Sequence, residues 1–165
     1  MKRVLIVGSP GAGKSTLATA LAARTGLPLF HLDQLYWRPG WIEPDQDQWR
    51  TALGGVLDQP CWIIDGNYGG SLALRLEPAD TVIDLDVPVW RCLARVIGRV
   101  RAHRGRVRPD MAAGCEERFD WSFLLYIARF PLAARRRLDQ RLRAFTGHSI
   151  RLSSDTEVAA FLDGA

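Results

Sequence analysis

The segment Gly8–Thr16 constrains the fold of this chain more than any other part of the sequence. It fits the pattern Gly-x-x-x-x-Gly-Lys-Ser/Thr between a buried strand predicted over Lys2–Val7 and a helix predicted over Lys14–Thr25. Glycines at these positions let successive backbone N–H groups surround a phosphate, and the start of the helix adds its positive end. The alternative is an ordinary glycine-rich corner. We predict a phosphate-binding loop made by Gly8, Pro10, Gly11, Ala12, Gly13, Lys14, Ser15 and Thr16.

Strand and helix patterns alternate along the whole chain. Further strands are predicted over Leu29–Leu32, Cys61–Ile64, Thr81–Leu85 and Ser149–Leu152, and further helices over Asp45–Leu57, Val89–Ala102, Phe119–Ala144 and Asp155–Leu162. Pro131 marks a break in the long third helix of that set. The alternation predicts an α/β domain with a five-stranded parallel sheet and helices on both faces.

Length and composition limit the class of protein. The chain has 165 residues, 47% hydrophobic and 24% charged, which predicts one folded domain over 1–165 and excludes disordered and low-complexity classes. No apolar run reaches the length of a membrane span or of a signal peptide, so we expect a cytoplasmic protein. We expect a monomer by default. Three scattered cysteines predict neither a zinc site nor disulfides.

Positive charge is concentrated in the second half of the chain. Residues 91–165 carry fifteen arginines against eight acidic residues, and seven of these arginines lie between Arg91 and Arg108 without an intervening acid. The planar guanidinium group suits phosphate oxygens, so a polyphosphate or a nucleic acid is one interpretation. A solvated basic surface is the other, and charge alone does not decide between them.

Carboxylates follow three of the predicted strands. Asp65 ends the strand after Trp62-Ile63-Ile64 and is our candidate for a second Mg²⁺ ligand beside Ser15, with Asp84 and Asp86 as rivals. Lys14 would reach the β- and γ-phosphates. Asp33 follows the second strand and is a candidate general base toward an acceptor hydroxyl, or else a helix cap. The predicted acceptor pocket comprises Asp33, Tyr36, Trp37, Arg38, Trp41, Asn67, Tyr68 and Arg75.

The spacing of the arginines suggests a clamp. Arg91, Arg95 and Arg99 are four residues apart and share one helix face. Arg118 and Arg129 are eleven residues apart, so they share a face if one helix runs unbroken between them. Arginines from two helices around a loop would stabilise charge on a phosphoryl group during transfer.

With these motifs the sequence resembles the P-loop kinases of the adenylate-kinase-like group over nearly its whole length. The resemblance rests on Asp65-Gly66, Arg95-Val96-Ile97-Gly98-Arg99, Arg104-Gly105-Arg106-Val107, Arg118-Phe119-Asp120 and Arg129. It implies a three-layer P-loop NTPase fold, an acceptor-binding insertion at about 33–58 and an arginine-rich lid at about 101–117. It also implies that Arg95 stacks on adenine, that Arg99, Arg118 and Arg129 contact phosphate, and that Ser154 lies near the adenine.

The chain also departs from that group. Asn67-Tyr68 follows Asp65-Gly66 where the family has Phe-Pro-Arg, and residues 32–58 lack the nucleoside-monophosphate signature. The segment Leu32–Trp37, followed by Pro39-Gly40-Trp41, looks closer to bacterial P-loop proteins labelled "topology modulation". These residues leave the acceptor open, since sugars, nucleosides and nucleotides all fit a tryptophan-rich loop.

Three functions follow from this sequence. The first is transfer of a phosphoryl group from ATP, with Mg²⁺, to a small-molecule or nucleotide acceptor. The second is a nucleotide-switched protein that binds DNA, suggested by the basic second half, although no DNA-binding motif is readable. The third is an ATPase without an acceptor, for which a lid that excludes water would be unnecessary.

Overall fold

Five parallel strands form one sheet in the computed structural model, which describes residues 1–165. The strands are β1 (Arg3–Gly8), β2 (Leu29–His31), β3 (Trp62–Asp65), β4 (Thr81–Leu85) and β5 (His148–Leu152), each within one residue of its predicted bounds. Their order is β2-β3-β1-β4-β5. Because β1 lies at the centre between β3 and β4, the loop after β1 emerges where ligands bind in open α/β sheets.

Eight helices and one short 3₁₀ turn, Gly69–Ser71, connect the strands. The helices are α1 (Lys14–Thr25), α2 (Leu32–Tyr36), α3 (Gln46–Leu57), α4 (Leu72–Leu76), α5 (Val89–His103), α6 (Trp121–Arg129), α7 (Ala134–Arg143) and α8 (Asp155–Asp163). Sequence analysis missed α2 and α4, since five residues are too few to show a helical period. None of the helices is both long and apolar enough to cross a bilayer.

Two separate cores show that helices cover both faces of the sheet. On one face α1, α5, α6 and α8 pack against strand residues that include Ile6 and Ile83. On the other face α2, α3, α4 and α7 pack against residues that include Leu5 and Ile64. Strand residues alternate between the two cores, and both sets are apolar, as expected for a parallel sheet buried on both sides. The three-layer α/β architecture is therefore confirmed.

The predicted helix over 119–144 consists of two helices, with the break at Pro131 confirmed. The first of them, α6, begins after Asp120, whose carboxylate accepts hydrogen bonds from the backbone N–H groups of Ser122 at 2.8 Å and Phe123 at 3.2 Å. Arg118 therefore precedes the helix. No unbroken helix joins it to Arg129, so the condition for a shared helix face is not met.

The 101–117 segment packs against the segment that contains the predicted acceptor residues. Met111, Ala112 and Cys115 form a third, small core against Trp37 and Trp41. Backbone and side-chain bonds join the same two segments: Gly40 N–H donates to the Gly114 carbonyl at 3.0 Å, and Trp41 Nε1 donates to the Glu116 carbonyl at 3.0 Å. The two segments thus form one wall above the carboxyl ends of the strands.

Candidate functional site

The loop between β1 and α1 has the backbone shape that its glycines predicted. Gly11 has a φ of +80°, and a Cβ there would lie 2.5 Å from the carbonyl oxygen of Cys92 in α5. Only glycine allows this approach. Lys14 Nζ lies across the loop and donates to the carbonyls of Gly8 and Ser9, both at 3.0 Å. Burial lowers the pKa of the Lys14 ammonium, and the carboxylates of Asp65 and Asp33 partly offset this effect.

Ser15 and Asp65 bring two candidate oxygen ligands for a metal together beside the phosphate-binding loop. Ser15 Oγ donates to Asp65 Oδ2 at 2.8 Å, and the other carboxylate oxygen lies 2.6 Å from His31 Nδ1. Although burial alone would lower the pKa of His31, the hydrogen bond and charge of Asp65 raise it. A hydroxyl and a single carboxylate fit Mg²⁺, which binds hard oxygen donors and takes its remaining ligands from phosphates and water. The residues present therefore fit the metal that the sequence predicted.

Asp84 and Asp86, the rivals of Asp65, are engaged elsewhere. Asp84 Oδ2 lies 2.5 Å from Arg135 Nη2 and 3.1 Å from Arg151 Nε, and Asp86 Oδ1 lies 3.4 Å from Arg135 Nη1. These ion pairs join β4 to α7 and β5. They place both carboxylates in a structural network and leave Asp65 as the carboxylate beside Ser15.

Asp33 lies in the first turn of α2 and lines the same cavity as the loop. Tyr68 Oη donates a hydrogen bond to Asp33 Oδ1 at 2.6 Å. Burial raises the pKa of the Asp33 carboxyl, while the Tyr68 bond and the Lys14 charge lower it in part. A carboxylate with a raised pKa that is oriented by a tyrosine has the properties of a general base.

The loop after β3 connects these groups. Asn67 bridges to the phosphate-binding loop, because its Oδ1 accepts from Gly8 N–H at 3.1 Å and its Nδ2 donates to the Gly8 carbonyl at 2.6 Å. Gly66 has a φ of +129°, and a Cβ there would lie 2.9 Å from the Leu32 side chain. Within four consecutive residues, Asp65 contacts Ser15, Asn67 contacts the phosphate-binding loop and Tyr68 contacts the candidate base Asp33.

Arg75 was predicted in the acceptor pocket, and this prediction is wrong. Its side chain is fully buried in α4 and donates to the backbone carbonyls of Gly66 at 3.1 Å, of Tyr68 at 3.2 Å and of Asn67. Burial is the main reason that its pKa falls to about 9. The guanidinium therefore stabilises the backbone of residues 66–68 and does not line the cavity.

One cavity of about 1120 Å³ collects most of the predicted site residues. Its walls include both the phosphate-binding loop and the Asp33 segment. The predicted residues that line it are Pro10, Gly11, Gly13, Lys14, Ser15, Thr16, Asp33, Trp37, Trp41, Asp65, Asn67, Tyr68, Arg95, Arg99 and Arg118. The volume is slightly above the range of ordinary ligand sites.

Other predicted residues lie outside these walls for identifiable reasons. Tyr36 packs edge-on against Trp37 and Trp49, with ring centroids 5.2 and 5.1 Å apart. Arg38 is exposed, 3.4 Å from Gln48. Ser154 caps α8 by accepting from Glu157 N–H at 3.2 Å. Arg129 is exposed on the last turn of α6. Gly8 and Ala12 belong to the loop backbone behind the cavity surface.

The arginines that line the cavity have different surroundings. Arg95 Nη1 donates to the Ala12 carbonyl at 2.9 Å, and Nη2 lies 2.5 Å from Asp155. The Arg118 guanidinium lies over the Trp41 ring, 5.6 Å from its centroid. Arg99 pairs with Glu117. Arg91 shares the predicted helix face but lies over Trp90, away from the cavity lining.

Sequence reasoning missed several cavity residues, among them Arg108, Asp110, Met111 and Glu117. The arginine-rich run drew attention to this region, but its irregular structure gives no period from which to read the direction of a side chain. The adjacent acids Glu116 and Glu117 look alike in the sequence. In the folded chain Glu117 is buried and Glu116 is exposed.

The chain has a P-loop NTPase fold. Residues 4–61 match the family model of the "ATPase family associated with various cellular activities (AAA)". A comparison with curated protein sequences gives no match.

Solved structures of similar fold extend over almost the whole chain. A shikimate kinase from Acinetobacter baumannii in complex with shikimate has a TM-score of 0.58 and 16% identity, covering 99% of this chain and 90% of that one. A shikimate kinase from Bacteroides thetaiotaomicron has a TM-score of 0.54 and 16% identity, covering 99% and 95%. A sugar kinase from Janibacter has a TM-score of 0.52 and 16% identity, covering 99% and 93%. At these identities the comparisons show the P-loop NTPase fold.

Proposed function

We propose that this protein is a P-loop kinase that transfers the γ-phosphoryl group of ATP to a hydroxyl group of a small acceptor. The observation that carries the proposal is that one cavity holds both the phosphate-binding loop with Lys14 and the Asp33–Tyr68 pair. An ATPase needs only the phosphate-binding loop with Lys14. The shikimate and sugar kinases of similar fold support an acceptor with a hydroxyl group.

Each group has a defined part in this reaction. The loop and Lys14 hold the phosphate chain, and Mg²⁺, when bound by Ser15 and Asp65, neutralises charge on the phosphates. Asp33 accepts the proton of the acceptor hydroxyl as its oxygen attacks the γ-phosphorus. Arg99 and Arg118 stabilise the charge on the transferred group. The reaction forms the phosphate ester and ADP.

The 101–117 segment acts as a lid in this proposal. It carries Arg108 and Asp110 on the cavity wall and packs through Met111 on Trp37 and Trp41. A closed lid excludes water, which would otherwise compete with the acceptor hydroxyl for the phosphoryl group. The acceptor-binding insertion at about 33–58 supplies Asp33, Trp37 and Trp41 to the same cavity.

The experiment is ADP release measured with ATP and Mg²⁺ across nucleosides, nucleoside monophosphates, sugars and small hydroxy acids. We expect one class to stimulate turnover, Lys14→Ala to abolish it through loss of nucleotide binding, and Asp33→Asn to abolish transfer while ATP affinity is kept. Loss of ATP binding in Asp33→Asn would contradict the role of Asp33 as base.

Acceptor-independent turnover that persists in Asp33→Asn would indicate an ATPase instead. The resemblance to "topology modulation" proteins suggests duplex DNA as the next ligand to test in that case. The measurement is DNA affinity against salt concentration. If the basic second half of the chain binds DNA phosphates, the affinity should fall steeply as salt rises.

A further inference from the structure

The Glu117 carboxylate lies between two arginines of the cavity wall. Glu117 ends the lid segment and is 6% exposed. Its Oε1 lies 3.2 Å from both Nε and Nη2 of Arg99, and its Oε2 lies 2.7 Å from Nε of Arg108. Arg99 belongs to α5 and Arg108 to the lid, so a single carboxylate joins the helix to the lid.

The charges around Glu117 explain why an acid is needed there. Arg99, Arg108 and Lys14 line the same cavity, and both arginines are largely shielded from solvent. Burial and the neighbouring Arg108 charge lower the pKa of Arg99, while Glu117 raises it in part. Like charges this close repel, and a buried cation without a partner is strongly destabilising.

The contacts also fix the orientation of the Arg99 guanidinium. A guanidinium has five N–H donors in one plane, and Glu117 occupies the edge formed by Nε and Nη2. Nη1 makes no hydrogen bond within the protein. Glu117 therefore holds the plane of Arg99 while it leaves donors free for a phosphate oxygen.

The backbone of Glu117 is itself anchored. Its N–H donates to the Arg106 carbonyl at 2.9 Å, and its carbonyl accepts from Gly105 N–H at 3.1 Å. Glu116, the preceding residue, is exposed and forms no ion pair. The two adjacent glutamates thus form a natural pair of test and control positions.

We propose that Glu117 is a positioning residue that orients Arg99 toward the phosphate chain of the nucleotide. The proposal rests on the proposed function for the identity of the nucleotide. Glu117 does not contact the phosphoryl group in this scheme. It acts through the Arg99 guanidinium, and Arg99 is the residue that meets the phosphate.

The test is binding of a non-hydrolysable ATP analogue with Mg²⁺, measured by calorimetry in Glu117→Gln, Glu116→Gln, Arg99→Met and the double variant Glu117→Gln/Arg99→Met. We expect Glu117→Gln to weaken binding on the order of 10-fold, the size of one charge-assisted hydrogen bond, and Glu116→Gln to leave it unchanged. Glu117→Gln should add almost nothing to the loss caused by Arg99→Met.

Two results would overturn the proposal. One is equal affinity in Glu117→Gln and Glu116→Gln. The other is the same loss of affinity from Glu117→Gln with and without Arg99, since a structural role alone would not depend on that arginine. If Glu117→Gln does not fold, Glu117→Asp keeps the charge but moves it back by one methylene group, and a loss coupled to Arg99 is again the expected result.

The same experiment separates this proposal from the proposed function. If wild-type protein binds the analogue but shows no acceptor-stimulated ADP release, the proposed kinase activity is contradicted. The comparison of the Glu117 and Glu116 variants then still tests the positioning role of Glu117. Wild-type protein that does not bind the analogue would contradict both.

Discussion

The hydroxyl of Tyr68 donates a 2.6 Å hydrogen bond to the carboxylate of Asp33, and this bond connects the loop after β3 to the segment after β2. Tyr68 has an unusual φ of +30°, and the buried Arg75 holds its carbonyl. The orientation of the candidate base therefore depends on a loop that also holds Asn67 and directly follows Asp65.

Tyr68→Phe should slow phosphoryl transfer about 10-fold, the effect of losing one hydrogen bond to a charged group. Burial raises the pKa of Asp33 and the Tyr68 bond lowers it, so removal of the hydroxyl raises that pKa further. The acidic limb of the pH profile of kcat should therefore move to higher pH. The measurement is kcat against pH, and an unchanged limb together with weaker ATP binding would contradict this role.

Arg75→Lys should destabilise the protein by about 2–3 kcal/mol, since an ammonium cannot reproduce the fork that serves three backbone carbonyls. The change removes the Arg75 bonds to the carbonyls of Gly66 and Asn67, whereas the Tyr68 carbonyl still accepts from Ser71 N–H at 2.9 Å. Urea unfolding gives the free energy of unfolding. Arg50→Lys, at an exposed position of α3, is the control and should change the stability by less than about 0.5 kcal/mol.

Gly11→Ala should abolish nucleotide binding, because the new Cβ would lie 2.5 Å from the Cys92 carbonyl. Gly40→Ala is the matched control. Gly40 has a φ of +81°, close to the +80° of Gly11, but nothing lies within 4 Å of its added Cβ. It should cost only the backbone strain of about 1–2 kcal/mol. If both variants lost equal stability and equal nucleotide affinity, backbone strain at positive φ would explain the effect of Gly11→Ala, and the contact with α5 would not.

Asp139→Asn should destabilise the protein by about 1–2 kcal/mol at neutral pH. Asp139 Oδ1 lies 2.7 Å from Arg135 Nη2 and 2.8 Å from Arg151 Nη2. Burial alone would raise the pKa of Asp139, but these arginines hold it below its ordinary value of 3.8. The carboxylate therefore stabilises the fold above about pH 4, and this contribution is lost as the pH falls through the lowered pKa.

The measurement is the difference in free energy of unfolding between wild type and Asp139→Asn at several pH values. The difference should be full at neutral pH and shrink in acid. Asp58→Asn, at an exposed position after α3, should show neither effect. A difference that stays constant from neutral to acid pH would mean that the charge of Asp139 is not what stabilises the fold.

The sequence by itself determined the elements whose residues are neighbours along the chain. The pattern of Gly8–Ser15 predicted a loop shape that follows from local backbone chemistry, and the apolar runs predicted all five strands within one residue. The position of Asp65 at a strand end placed it beside Ser15, because parallel strands end at one edge of the sheet. Local sequence patterns and the topology of a parallel sheet were sufficient to predict the phosphate-binding loop and the placement of Asp65 beside Ser15.

Only the tertiary structure decided which side chains of the irregular segments face the cavity. Arg75 was predicted there but is buried behind a loop, and Arg108 and Glu117 were missed although both line the cavity. Their directions follow from contacts between residues far apart in the sequence, such as the packing of Met111 on Trp37. A strand or helix repeats its side-chain directions with a fixed period, whereas a loop takes its side-chain directions from the surface on which it packs.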